Sequence, residues 1–124
     1  MEKLFVPYEL ALKLKELGFD EECLAFYDKH GKLYFNLVRD GSGNYGTFKN
    51  VENLSWVGAS LFQQTFDWFR EKYGLCHFIN HSGGGYCSGW EDLGNNEHGF
   101  GNYNTYEEAR LKCLEKLIEL CTKK

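Results

Sequence analysis

The chain has 124 residues, the length of one domain, and can bury a core without disulfide or metal staples. Hydrophobic residues make up 43% and charged residues 26%, which excludes a wholly disordered chain. The formal net charge is −4 and no Lys/Arg cluster stands out, so binding of nucleic acid through released counterions is disfavoured.

The first expected helix runs from about Pro7 to Leu17. Pro7 suits the first helical position, where a missing N–H costs nothing. Leu10, Ala11, Leu14 and Leu17 recur at helical spacing. Gly18 can take the left-handed conformation that ends a helix, and Phe19 can fold back on the last turn. Two short apolar runs follow, Cys23 to Tyr27 and Leu33 to Val38. Asp28-Lys29-His30-Gly31-Lys32 joins them as a hairpin turn. Arg39 to Thr47 reads as a loop, and Phe48 to Val57 as an additional strand.

The second helix is expected from about Leu61 to Tyr73. Ser60 and Gln63 have capping-box spacing, and Phe62, Phe66, Phe69 and Tyr73 form one stripe. Gly74 and Leu75 repeat the stop of the first helix. Leu75 to Asn80 and Tyr86 to Leu93 then read as strands. The third helix spans about Tyr106 to Cys121, with Thr105 and Glu108 as a second capping box. Tyr106, Ala109, Cys113, Leu117 and Leu120 make its apolar stripe. The order is roughly α-ββ(β)-α-ββ-α, without regular βαβ alternation. It predicts a single α+β domain over residues 1–124, a small antiparallel sheet packed by three helices.

The N-terminal stretch MEKLFVPYEL lacks an apolar leader segment, and no apolar run approaches the roughly 18 residues of a membrane span. The five cysteines are odd in number and follow no disulfide framework. A cytoplasmic protein with reduced thiols and no membrane partner is expected.

The segment from His81 to Asn104 differs in kind, being rich in Gly, Asn, His and spaced aromatics. Cys76, His77, His81, Cys87 and His98 include zinc-ligand types, but their spacing matches no zinc module, so no metal or cofactor is expected. Asp40, Ser42 and Asn44 alternate as in a calcium loop, yet Tyr45 stands where the Gly is needed and Val51 where the final acid is needed. Ser82 to Gly85 could cradle an anion with backbone N–H groups, but no P-loop or dinucleotide pattern surrounds it. No catalytic residue is assigned. Tyr86, Trp90, Phe100 and Tyr103 are the candidate ligand- or partner-binding residues, with Trp56 and Tyr45 as candidates to join them. Strand alternation would equally turn these rings to the core.

The blocks LFVPYELALKLKELGFDEECLAFYD, FQQTFDWFREKYGL and TYEEARLKCLEKLIEL resemble a family of small uncharacterised proteins of phages and prophages of gut bacteria. The family typically carries an Ala-Pro-Leu-Tyr-like stretch before the middle helix, where this chain has Gly58-Ala59-Ser60-Leu61-Phe62. The resemblance implies a phage-related cytoplasmic protein and supplies no catalytic residues. The functional expectation is a non-catalytic binding protein acting on a host protein or a small metabolite. The alternatives are a small enzyme or metal-binding protein using the Cys and His of residues 76–98, and a nucleic-acid binder on an aromatic sheet face.

Overall fold

The structure is a computed structural model that describes residues 2–35, 48–51, 54–94 and 96–122; the side chains of Glu2, Ser82 and Phe100 also lie outside the description. The expected loop Arg39 to Thr47, the end of the second apolar run and the calcium-like positions Asp40, Ser42, Asn44 and Tyr45 fall outside the described residues. The chain divides into two compact units, Met1–Leu61 and Phe62–Lys124.

In the first unit, helix α1 spans Tyr8–Glu16. Pro7 is its N-cap rather than its first helical residue, with extended ψ of 153°. The stop is as expected. Gly18 has φ of 94°, its N–H donates to the Lys15 carbonyl, and the Phe19 N–H reaches the Leu14 carbonyl. This pair of bonds closes the last turn and carries Phe19 into the core.

Three short strands, β1 (Ala25–Tyr27), β2 (Leu33–Phe35) and β3 (Val57–Ala59), form an antiparallel sheet in the order β2-β1-β3. Phe48 bridges Cys23 ahead of β1, but the additional strand expected from Phe48 to Val57 is not formed among the described residues between them, and β3 begins only at Val57. Ala25, Tyr27, Val57 and Ala59 face a core shared with Phe5 and Ala11. The Tyr27 hydroxyl donates to the Val6 carbonyl at 2.7 Å, which satisfies a buried polar atom.

The second unit contains α2 (Phe62–Tyr73), strands β4 (Cys76–Ser82), β5 (Gly85–Glu91) and β6 (Glu97–Tyr103), and α3 (Tyr106–Thr122). The sheet is antiparallel, in the order β4-β5-β6. Phe62, Phe66 and Phe69 of α2 are buried as expected, joined by Thr65 and Trp68. Gly74, at φ of 69°, ends the helix, and the Leu75 N–H returns to the Phe69 carbonyl. On α3 the buried set is Ala109, Cys113, Leu114, Leu117, Ile118 and Cys121. Tyr106 and Leu120 were expected in this buried stripe, but Tyr106, in the first turn at the end of the packed face, is 43% exposed and Leu120 is only half-buried.

The α+β class and the three helices stand as expected. Among the described residues the expected single sheet is instead two three-stranded antiparallel sheets, and the order gains β6. Strand β6 has the sequence EHGFGNY, which lacks the β-branched run that marks a strand. Pairing along β5 supplies what intrinsic preference does not.

Candidate binding surfaces

In the second unit, strand register decides where each candidate residue lies. His77, Trp90 and His98 are partners across β4, β5 and β6, as are His81, Tyr86 and Tyr103. Ser88 pairs with Phe100, with an irregularity between Tyr86 and Ser88. Side chains two apart on a strand share a face. Tyr86, Trp90 and Tyr103 therefore share one face of this sheet, while for Phe100 the description extends only to its backbone pairing with Ser88.

Helices α2 and α3 cover that same face. His77 stacks flat on Phe66 of α2, with ring centres 3.8 Å apart. Tyr86 meets Tyr106 of α3 edge-on at 6.0 Å. Trp90 stacks on His98 at 5.0 Å, and the His98 Nε2 lies 3.2 Å from a carboxylate oxygen of Asp92. Tyr86, Trp90 and Tyr103 are all half-buried. Tyr86, Trp90 and Tyr103 thus line the packed side of the sheet, which narrows the surface they can offer.

Register also separates the zinc-type residues. Cys76 and Cys87 belong to one face, and His77, His81 and His98 to the other. Among the described residues no group of three His, Cys, Asp or Glu could hold a metal ion. Gly83 and Gly84 form the β4–β5 hairpin turn, both with positive φ, where an L side chain would be strained. Their glycines answer to the turn itself. Two thiols elsewhere are chemically quiet. Burial pushes Cys23 and Cys113 up to about 12, so neither is a thiolate at neutral pH.

The first unit carries a surface that the sequence reading touched only at Trp56. Phe26 of β1 alternates with the core residues Ala25 and Tyr27, so its ring projects from the opposite face. It pairs with Tyr34 of β2 and Gly58 of β3. Among the described residues three rings stack against it: Trp56 at 5.0 Å and 21°, Phe48 at 5.1 Å and 24°, and Tyr34 at 5.5 Å and 20°. These are offset stacks, the arrangement that the ring quadrupole favours. Trp56 remains 43% exposed and Tyr34 39%. The Lys32 ammonium sits 5.4 Å from the centre of the Tyr34 ring.

A cleft of about 390 Å³ opens beside this stack, lined by Phe26, Asp28, Lys29, His30, Tyr34, Ser55 and Trp56. The β1–β2 turn forms its rim. One carboxylate oxygen of Asp28 accepts the His30 N–H at 2.8 Å and the Lys32 N–H at 3.0 Å. The Lys32 amide is the main cause holding the Asp28 carboxyl below its ordinary range; the His30 amide and the Tyr34 hydroxyl act the same way. Lys29, His30 and Lys32 are exposed around it. Phe26 and Tyr34 were missed because AFY and LYF are apolar at every position, so alternation leaves no trace in the sequence.

Compared with known families, curated proteins and solved structures, the chain matches none of them. Among the described residues no helix is long and apolar enough to cross a membrane.

Proposed function

We propose that this is a non-catalytic binding protein whose contact surface is the open aromatic face of the first unit. The observation that carries the reading is the stack of Trp56, Phe26 and Tyr34, solvent-accessible and bordered by a cleft. Large aromatic groups left in water cost free energy that a partner recovers on covering them, and Trp and Tyr dominate binding hot spots. The phage-like blocks add the expectation of a host protein or small metabolite as partner, in the cytoplasm. The alternative through Cys87 and a histidine finds little support, since the register sets Cys87 on the face away from His81 and His98.

The test is retrieval of the tagged chain from the cells that produce it, with mass spectrometry of retained proteins and small molecules. A species retained in stoichiometric amount, and lost from Trp56→Ala at unchanged melting temperature, supports the reading. Equal retention by wild type and variant would remove the aromatic face as the contact surface.

A further inference from the structure

We propose that the cleft beside Trp56 takes a nucleotide unit, its base against the aromatic stack and its phosphate at the β1–β2 turn. This deepens the binding reading above and rests on it.

The chemistry of the cleft is divided. One wall is aromatic, with Trp56, Phe26 and Tyr34 in near-parallel planes. A flat ring inserted beside such a stack continues it, and every nucleobase has a π-face. The other wall is the turn, where the exposed Lys29 and His30 line the cleft and Lys32 stands exposed on the same turn. The acid in this wall, Asp28, is engaged by the His30 and Lys32 amides. Its charge is thereby partly offset, while the exposed Lys29 offers its ammonium to an anion and the Lys32 ammonium stands over the neighbouring Tyr34 ring. The volume, about 390 Å³, lies in the range of small-ligand sites, whose general span is roughly 300–1,000 Å³. Ser55 and the His30 ring add hydrogen-bonding groups that could meet a base or ribose edge.

The acidic balance of the chain limits the ligand rather than excluding it. A net charge of −4 works against a long polyanion that must cross the whole surface. It works much less against one phosphate held at a local cluster of cations, since exposed charges beyond about 10 Å are screened at moderate salt. A free nucleotide and an unpaired nucleotide of a single strand share this chemistry. A duplex does not, because its base faces are already covered.

The experiment is titration of the intact protein with AMP, adenosine, inorganic phosphate, a short oligo-dA strand and the same sequence as duplex. Tryptophan fluorescence and equilibrium dialysis are the readouts. Saturable AMP binding is expected, with adenosine weaker by about tenfold for loss of the charged contacts. Trp56→Ala should weaken AMP by at least about tenfold, while Trp56→Phe, which keeps a ring, should retain most of it. Lys29→Gln with Lys32→Gln should close the gap between AMP and adenosine. If the single strand binds more tightly than AMP and the duplex does not bind, the source is single-stranded nucleic acid; binding of AMP alone identifies a free nucleotide. No saturable binding of AMP or the single strand overturns the proposal, as does a duplex that binds equally well or a Trp56→Ala protein that folds and binds like wild type. If nucleotides fail while a retrieved partner still depends on Trp56, the binding-protein reading stands and the nucleotide assignment falls.

Discussion

Single residues differ widely in what their loss should do, and burial with partners decides the difference. Leu117 of α3 is fully buried, so Leu117→Ala removes several methyl and methylene groups and leaves a cavity. A destabilisation of about 2–5 kcal/mol is expected, read as a lowered denaturant midpoint. An unchanged midpoint would mean that this face of α3 is not the packed one. Trp56 lies at the other extreme. Its exposure means that truncation should spare the fold and act on binding, which is why it serves as the probe of function. Cys113 lies between the two. It is fully buried, its S–H donates to the Gly89 carbonyl at 3.4 Å, and desolvation keeps it protonated. It packs α3 onto β5 as a small apolar residue and is a poor nucleophile.

Element boundaries were the part of the fold most open to reading, because they depend on local chemistry. Gly18-Phe19 and Gly74-Leu75 end their helices as their types demand. At the start of α3 the Thr105 hydroxyl accepts the Glu108 N–H at 3.1 Å, half of the expected capping box. Thr105→Ala should cost about 1 kcal/mol, and Thr105→Ser should restore it. Equal stability of the Ala and Ser variants would show that the cap contributes nothing. What was not legible depends on partners distant in sequence. Strand β6 has little intrinsic strand preference and owes its extension to β5. The aromatic face of the first sheet was hidden for the opposite reason. In AFY and LYF all residues are apolar, and only the position of α1 and the Phe5 cluster decides which side becomes core. The His81 to Asn104 segment was distinctive in composition, yet register turns Tyr86, Trp90 and Tyr103 toward the face that α2 and α3 cover. Composition marked the segment as unlike its neighbours without indicating which side of a strand each ring would take.

Across the whole molecule, the resolved proton equilibria that bear on acid stability point in one direction. The Asp28 and Asp92 carboxyls are held below their ordinary value, chiefly by backbone amides of their own turns, those of Lys32 and Asn96. Such groups contribute stability that is present above the unfolded carboxyl value of 3.8 and is lost as pH falls through the lower folded value. His77 is also shifted down, mainly because burial against Phe66 disfavours the imidazolium, with Asp67 opposing and Arg70 assisting. Its folded value lies below the ordinary 6.5, so on acidification the unfolded chain takes up this proton before the folded one. The sign is therefore the same, but the window differs. His77 should make stability fall as pH drops from about 6.5, before the carboxyls contribute. Phenylalanine at this position would keep the flat contact with Phe66 and remove the proton. Denaturant midpoints of wild type and His77→Phe should then run together near neutral pH and separate below about pH 6, the variant being the more stable. Two profiles that stay parallel through the acid range would mean that the His77 ring is protonated as readily in the folded chain as in the unfolded one. The close stack on Phe66 would then not be the desolvated contact on which the shift depends.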